Sequence, residues 1–218
     1  MVSPSELVAA AVAAGLDLIA VTDHDTMASV REVQERGAAV GLQVVAGQEV
    51  TTAWPAQTHI LGWFLEKPIR RGMSVEDTVT AIHDAGGLAI VPHPFMPVYF
   101  GSIQPGMLRR LIERQPVDGI EVMSTVPMGG MRRRALNRFV DANRERLGAL
   151  VGASDCHFGR HDIGRVVTLF EGDFRAALLG RRTEPRLGSR HAVPRGIAMR
   201  QQWRALVVIP LRRLRETL

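Results

Sequence analysis

Short apolar runs, each followed at once by a histidine or an acidic residue, recur along this chain and most constrain its fold. Segments with the length and composition of helices separate the runs, which is typical of β-strands that alternate with α-helices. The run at 88–91, between Gly86-Gly87 and Pro92-His93, is the clearest example. Alternation of this kind argues for parallel βαβ units, and side chains at the carboxyl ends of strands are what an α/β barrel gathers at its mouth.

The predicted helices and strands follow this rhythm through most of the chain. Ser3, Pro4 and Glu6 are typical of a helix start, because Ser3 can cap the helix and Glu6 completes the capping-box spacing. This first helix should end near Gly15. Further helices are predicted at 27–40, 74–85, 106–114 and 130–146, and strands at 16–21, 42–46, 58–65, 88–91, 119–122 and 149–153.

The composition is that of an ordinary globular protein. With 218 residues, 46% hydrophobic and 22% charged, the chain can build one substantial core. Cys156 is the only cysteine, so no disulfide can form within the chain, and with no secretion signal we expect a cytoplasmic protein. No apolar run approaches the roughly 20 residues that a transmembrane helix needs, so no membrane span is expected.

The net charge of +5 is concentrated near the carboxyl end. Ten arginines and only two glutamates follow residue 180, so the rest of the chain is slightly acidic. We therefore divide the chain into a domain at 1–185 and a basic, helical tail at 186–218. The tail either packs on the domain or makes a weak contact with anionic lipid or nucleic acid.

Five motifs in series carry the chemistry, and each follows or begins a predicted strand. In this order and spacing they resemble the PHP (polymerase and histidinol phosphatase) superfamily, above all its small stand-alone phosphoesterases. The resemblance covers about residues 3 to 185, and it implies a distorted (βα)7 barrel with up to three divalent metals at its mouth. The motifs are Thr22-Asp23-His24-Asp25-Thr26, Gly47-Gln48-Glu49, His59-Ile60-Leu61-Gly62, Pro92-His93-Pro94 and Ser154-Asp155-Cys156-His157.

The resemblance implies six metal ligands, all imidazoles or carboxylates: His24, Glu49, His59, His93, Asp155 and His157. One metal takes Glu49, His59 and His93. Glu49 bridges to a second metal, which also takes Asp155, and the remaining two histidines hold a third. Ligands of this mixture independently suit manganese, zinc or iron, and such metals can supply a bound hydroxide as the nucleophile. No serine or cysteine nucleophile is then required.

The family's first motif, a strand that ends in Asp-x-His-x-His, has no counterpart here. Residues 2–6 align with what normally follows it. The barrel of this chain should therefore lack its first strand. We expect that the sequence is truncated, because Met1 falls inside an otherwise intact alignment and a protein that truly lacked this strand would expose two unpaired sheet edges. A degenerate member of the family is the alternative, and the upstream reading frame distinguishes the two.

Other polar residues are expected to support the six ligands. Asp25 should cap the second helix, and Asp23 is a candidate to orient His24. Glu121 ends a predicted strand on the same side of the sheet and is a second candidate for a supporting role. Arg134 or Arg160 is a candidate to bind a substrate phosphate.

Three further histidines and the cysteine are not expected to take part in catalysis. His83, His161 and His191 match no motif and are predicted to lie on the surface. Cys156 is not predicted to be a nucleophile, because the carboxylate beside it raises its pKa.

The sequence thus predicts a metal-dependent phosphoesterase that hydrolyses a small phosphorylated substrate, such as a nucleotide or an RNA end, by a metal-bound hydroxide. The alternative from another class is a truncated or degenerate non-catalytic module that binds metal and is recruited through its arginine tail. A hydrolase of C–N bonds is a third hypothesis, since related metal barrels use similar ligands.

Overall fold

The computed structural model of the chain describes residues 2–96, 101–125, 130–157 and 162–188. Residues 189–218 of the predicted basic tail, including His191, lie outside the described residues, as do Arg160 and His161. Residues 186 and 187, the start of that predicted tail, belong to a β-strand and not to a helix. No helix in the described ranges is long and apolar enough to cross a membrane.

Strands and helices alternate through the first six strands. The elements in chain order are α1 (Pro4–Ala13), β1 (Leu18–Val21), α2 (Val30–Ala38), β2 (Gln43–Thr51), β3 (His59–Trp63), α3 (Val75–Asp84), β4 (Leu88–Val91), α4 (Pro105–Arg114), β5 (Gly119–Ser124), α5 (Gly130–Ala142), β6 (Ala149–Ala153), β7 (Val166–Phe170), α6 (Phe174–Leu179) and β8 (Thr183–Leu187).

The start of α1 has the capping box that the sequence predicts. Ser3 Oγ accepts a hydrogen bond from the Glu6 N–H at 3.3 Å, and the Glu6 carboxylate accepts one from the Ser3 N–H at 2.9 Å. These two bonds satisfy N–H groups that have no partner within the helix. α2 differs from the prediction, because it begins only at Val30, after a turn-rich segment.

The first six strands form one sheet in the order β1-β2-β3-β4-β5-β6. β1 runs parallel to β2, and β4, β5 and β6 run parallel to one another. β3 is antiparallel to both β2 and β4, so the expectation of parallel units throughout is wrong at this strand. The reason is the connection at 52–58, which is too short for the crossover that a parallel neighbour needs.

The sheet curls so that its two edge strands approach each other at their carboxyl ends. His24, which follows β1, and His157, which follows β6, place their Nε2 atoms 3.1 Å apart. The described residues thus form the curled half-barrel of an α/β fold, which confirms the predicted fold class.

β7 and β8 form an antiparallel pair beside β6, and the sequence reasoning missed both strands together with α6. Side chains tie this pair to β6. The Gly152 N–H donates to Thr168 Oγ1 at 2.9 Å, and Thr183 Oγ1 donates to the Leu150 carbonyl at 2.7 Å. The edge of β6 is therefore covered rather than open to solvent.

The inner face of the sheet is apolar at one end and carries the predicted ligands at the other. Val45, Leu61, Ile90 and Val151 form one buried cluster with Phe174 of α6. Because side chains alternate across a strand, Glu49 lies on the same face as Val45, and His59 on the same face as Leu61. The apolar layer thus forms the floor beneath the ligands. α3, α4 and α5 pack on a separate cluster that includes Ile60, Val79, Leu108, Ile120 and Leu136.

Candidate metal centre

All six predicted ligands lie at one end of the sheet. His24 follows β1, His93 follows β4, and both Asp155 and His157 follow β6. Glu49 lies near the end of β2. His59 is the first residue of β3, and it reaches the same end only because β3 runs opposite to its neighbours.

Glu49 lies at the centre of the cluster and is 5% exposed. Its Oε1 atom is 2.6 Å from His59 Nδ1 and 3.2 Å from His93 Nε2. Its Oε2 atom is 3.5 Å from His24 Nδ1. One carboxylate therefore faces three imidazoles, with Oε1 beside His59 and His93 and Oε2 beside His24.

Main-chain hydrogen bonds fix the position of Glu49 relative to the loop that carries His24. The Glu49 N–H donates to the Asp23 carbonyl at 3.1 Å, and the Asp25 N–H donates to the Glu49 carbonyl at 3.0 Å. This short parallel bridge extends the β1–β2 pairing beyond β1 itself. The distance between His24 and Glu49 is thus set by backbone pairing.

The donor atoms form two groups that share Glu49. One group is Glu49, His59 and His93, and the other is His24, Glu49 and His157; within each group the donor atoms lie within 4.8 Å of one another. The first group is the one that the resemblance assigns to one metal. In the second group Glu49 supplies a third donor beside the two histidines, to which the resemblance assigns a metal of their own.

The chemistry of these groups fits a divalent metal. His59 Nδ1 is buried and makes no hydrogen bond within the described residues, although it lies 2.6 Å from a carboxylate oxygen. A buried nitrogen beside an oxygen, without a hydrogen bond between them, suits two ligands of one cation. Two imidazoles with one carboxylate suit zinc, manganese or iron.

Asp155 lies beside His157 at the edge of the cluster. Its Oδ1 atom is 3.2 Å from His157 Nδ1, and its main-chain oxygen is 3.1 Å from the same nitrogen. Asp155 also adopts the left-handed backbone region with φ 47°. Such a conformation costs about 1–3 kcal/mol in a residue with a side chain and is found most often at functional sites.

The two predicted acidic ligands stay ionised, although Glu49 is buried and Asp155 half-buried. Burial raises the pKa of Glu49, but the charges of His59 and His24 and the hydrogen bond of His93 lower it well below its usual range. Burial also raises the pKa of Asp155, and the His157 imidazole outweighs that effect and lowers it. Both carboxylates are therefore available as anionic ligands at neutral pH.

The pKa values of two imidazoles, His93 and His157, shift upward, in the opposite direction. Burial lowers the pKa of His93, but the adjacent Glu49 carboxylate raises it to about 9. In the same way burial lowers the pKa of His157, and Asp155 raises it to about 10. Protons and divalent cations compete for these nitrogens, because a histidine must be neutral to bind a metal.

Glu121 contacts the main chain of a predicted ligand. Its Oε2 atom accepts a hydrogen bond from the His93 N–H at 2.7 Å, and the side chain is buried. Burial, together with the charges of Asp155 and Glu49, raises the pKa of Glu121 to about 7, although His93 opposes the shift. Glu121 thus lies where the sequence placed it, against the ligand set.

The carbonyl of His93 is held as firmly as its N–H. Ser102 Oγ donates to this carbonyl at 2.8 Å and accepts from the Met96 N–H at 2.9 Å. His93 has φ 28°, so its backbone is strained, and contacts on both sides hold it in that conformation. The sequence reasoning missed Ser102, because nothing local marks it as a neighbour of His93.

Of the two acidic residues that flank His24, Asp25 differs from its predicted role. Asp25 does not cap α2; its carboxylate accepts hydrogen bonds from the Thr51 N–H at 2.8 Å and the Thr51 hydroxyl at 3.0 Å. The Asp23 carboxylate accepts a hydrogen bond from the Ser29 hydroxyl, in the turn before α2. Asp25 therefore caps the end of β2 rather than the start of a helix.

Of the arginines near the mouth, Arg132 makes a contact beside the ligands. Its guanidinium donates to the Phe95 carbonyl at 2.7 Å, two residues beyond His93. Arg134 is exposed, and the structure shows no contact between its described side chain and the ligand cluster.

Cys156 is half-buried and packs against the apolar cluster around β1, in keeping with a packing role. His83 lies on the surface as predicted.

Gly101 is a further residue of the site that the sequence reasoning missed. Its φ is +86°, and a Cβ atom added there would lie 2.7 Å from His59 Cε1 and 2.8 Å from His59 Nδ1. The Gly101 carbonyl also accepts a hydrogen bond from the His59 N–H at 2.8 Å. Only a residue without a side chain leaves room for the imidazole, and this contact is visible only in the folded chain.

Known proteins are similar in sequence to parts of this chain. The sequence profile of the PHP domain family matches residues 1–161. An uncharacterized protein of Methanocaldococcus jannaschii is 31% identical over 138 residues, which are 63% of this chain and 75% of the archaeal one. A 5'-3' exoribonuclease of Haemophilus influenzae is 37% identical over 68 residues, which are 31% of this chain but only 25% of the enzyme.

Solved structures share the fold at lower identity. A two-domain protein of Bacteroides vulgatus that contains a predicted PHP-like metal-dependent phosphoesterase superposes with a TM-score of 0.69 at 21% identity, over 86% of this chain and 61% of that one. A protein of Bifidobacterium adolescentis that is named as a metal-dependent phosphoesterase gives 0.60 at 18% identity, over 72% and 83%. An amidohydrolase of Chromobacterium violaceum gives 0.55 at 20% identity, over 71% and 82%.

Proposed function

The chain belongs to the PHP domain family, and from this premise we propose that it is a divalent-metal-dependent hydrolase of phosphoric esters. The observation that carries the proposal is the pair of donor groups that share Glu49. Bound divalent metals would neutralise phosphate oxygens and activate water for attack.

The chain's own residues supply the arrangement that this chemistry needs. Glu49 has one oxygen for each donor group, so it can hold two cations at a short, fixed separation. The apolar layer with Val45, Leu61 and Val151 excludes water from beneath the ligands. The contacts of Glu121 and Ser102 fix the His93 backbone before substrate binds. A site held in place in this way loses little energy to rearrangement during the reaction.

For the substrate we propose a small phosphorylated molecule with a nucleotide unit, either free or at the end of an RNA chain. The similarity to the Haemophilus exoribonuclease supports this choice, although it covers a quarter of that enzyme. For the metals we propose manganese, zinc or iron, because the donor groups combine nitrogen and oxygen ligands.

The test is hydrolysis of phosphate monoesters and diesters by protein supplied with manganese. We expect the wild type to release phosphate from monoesters or an alcohol and a monoester from diesters, and His93→Ala to lose this activity together with bound metal. His83→Ala is the matched control, since it removes an exposed imidazole outside the cluster and should leave activity unchanged.

Two results would contradict the proposal. Protein that retains its metal but hydrolyses none of a broad panel of phosphate esters would favour a non-catalytic metal-binding module. Protein that cleaves amides but no phosphate esters would favour the hydrolase of C–N bonds.

A further inference from the structure

Trp54 is 74% exposed and lies in the connection at 52–58 between β2 and β3. A single exposed apolar side chain is ordinary on a protein surface, so exposure alone does not indicate a binding site. The location of Trp54 is informative, because this connection joins the strand that carries Glu49 to the strand that starts with His59. The connection that carries Trp54 therefore borders the proposed active site.

Main-chain hydrogen bonds hold the connection in a defined shape. The Thr52 N–H donates to the Thr58 carbonyl at 2.9 Å, and the Gln57 N–H donates to the Ala53 carbonyl at 2.9 Å. The Ala53 N–H donates to the Met73 carbonyl at 2.7 Å, outside the connection. The backbone of Trp54 is thus already ordered, so a ligand that stacks on its ring has a smaller entropic cost of binding.

The segment before Met73, which pairs with Ala53, carries an arginine. Hydrogen bonds along β2 guide this segment towards the mouth: the Ile69 N–H donates to Gln48 Oε1 at 2.8 Å, and the Gly72 N–H donates to the Thr51 carbonyl at 2.8 Å. Arg71 lies between these two points. Its guanidinium is 3.4 Å from Asp25 Oδ2, and the side chain is 58% exposed.

Asp25 gives Arg71 a preferred orientation without consuming its capacity to bind an anion. The Asp25 carboxylate is 8% exposed and already accepts two hydrogen bonds from Thr51, so its position is fixed. A guanidinium carries five N–H donors, and those that do not face Asp25 can bind a phosphate. Asp25 also follows His24 directly in the chain, so Arg71 lies beside the ligand cluster.

From these contacts we infer that Trp54 and Arg71 form a nucleotide-binding rim, in which a nucleobase stacks on the Trp54 indole and a phosphate binds the Arg71 guanidinium. The inference rests on the proposed phosphoesterase function and specifies the substrate of that site. Aromatic stacking combined with a nearby cation is how proteins bind single-stranded nucleic acid without reading its sequence. The rim should therefore favour ligands that contain a nucleobase and show little preference among the different bases.

The first experiment compares adenosine 5'-monophosphate with ribose 5-phosphate, which has the same phosphate ester but no base. With manganese-loaded protein we expect a higher kcat/KM for the nucleotide. Trp54→Ala should raise the KM for the nucleotide at least about fivefold, the lower end of measured stacking effects, and leave ribose 5-phosphate unchanged. Trp54→Phe should restore most of the preference, because it keeps an aromatic face.

Two controls separate the rim from general surface changes. Leu187→Ala removes an apolar side chain of equal exposure, 75%, on β8. Arg109→Ala removes an exposed arginine on α4. Both variants should retain the wild-type preference.

The Arg71→Ala variant distinguishes a free nucleotide from a nucleotide at the end of a chain as the substrate. If the unit lies at the end of a chain, this variant should lose more activity on a 5'-phosphorylated oligonucleotide than on adenosine 5'-monophosphate, because the oligonucleotide offers a second phosphate. An equal loss on both substrates would identify a free nucleotide. Unchanged kinetics on both would overturn the role of Arg71.

Binding measured by calorimetry separates failure of the rim from failure of the proposed function. Hydrolysis of both test esters with equal efficiency would overturn the rim and leave the phosphoesterase intact. Binding of the nucleotide that depends on Trp54, without hydrolysis, would support the rim and refute the phosphoesterase. Absence of both binding and hydrolysis would overturn the two together.

Discussion

The main-chain N–H of His93 donates a 2.7 Å hydrogen bond to the buried carboxylate of Glu121, so that a side chain from β5 fixes a predicted metal ligand that follows β4. His93 occupies the left-handed backbone region with φ 28°, a conformation that needs support from its surroundings. Glu121 provides that support on one side and Ser102 on the other.

We therefore expect Glu121→Ala to weaken both the fold and the metal site. Loss of the carboxylate leaves a buried N–H without an acceptor, which costs about 1–3 kcal/mol. Glu121→Gln keeps an acceptor oxygen and should retain most of the stability. Urea unfolding and metal content per chain measure the two effects. Equal stability and metal content in wild type and Glu121→Ala would show that the hydrogen bond does not hold His93 in place.

Glu49→Ala should reduce metal binding more than His93→Ala. Glu49 contributes a donor to both groups, whereas His93 belongs to one of them. Elemental analysis after dialysis against manganese should show less metal per chain in Glu49→Ala than in His93→Ala, with His83→Ala equal to wild type. Circular dichroism checks that each variant is folded. Equal metal content in Glu49→Ala and His93→Ala would argue against a shared carboxylate.

Gly101→Ala should displace the His59 imidazole. The added methyl group would lie 2.7 Å from the ring, and at φ +86° a side chain is strained in any case. Overpacking of this kind costs about 1–3 kcal/mol. A manganese titration should show weaker binding, and urea unfolding a lower midpoint. Gly106→Ala is the matched control, because a Cβ atom added at Gly106 would have no neighbouring atom within 4 Å. The two variants behaving alike would refute the packing argument.

His83 makes a pH-dependent contribution to stability that is independent of the metal centre. Its Nε2 atom lies 2.7 Å from Asp118 Oδ2, and the hydrogen bond to this carboxylate raises the pKa of His83. A pKa that is higher in the folded state means that the stabilisation is fully present below the unfolded value of about 6.5. It is lost as the pH rises through the folded value.

The corresponding variant is His83→Gln, compared with wild type by urea unfolding at several pH values. We expect the loss of stability to be largest near pH 6 and to shrink as the solution becomes alkaline. Because the pair is partly exposed to solvent, the maximum effect should stay below about 1 kcal/mol. A difference that grows with pH would contradict the assignment.

The accuracy of the predicted strands depended on how clearly the sequence bounds them. The runs at β4 and β6 carry no polar side chain and are bounded by glycine, proline or serine, and their predicted ends agree with the structure. β8 contains Pro185 and two charged residues, so its sequence does not indicate a strand. Its pairing with β7 and its contact with β6 supply the stabilisation that its own composition lacks.

The local pattern of the chain by itself determined the kinds of side chain that would carry the chemistry and the strand ends where they would lie. This information is local, because an imidazole or a carboxylate directly after a buried strand must emerge at the end of the sheet. The antiparallel direction of β3 also depends on a local feature, the short connection at 52–58, which leaves no room for a crossover helix.

Only the tertiary structure decided which of these side chains meet. The curl of the sheet brings His24 to His157 from opposite edges. The same curl and the reversed β3 place Glu49 in both donor groups. The fold also brings the Asp25 carboxylate to Thr51 and the Arg71 guanidinium to Asp25. Each of these contacts joins residues from different elements, and their distances depend on how the strands twist and pack rather than on the sequence around any one of them.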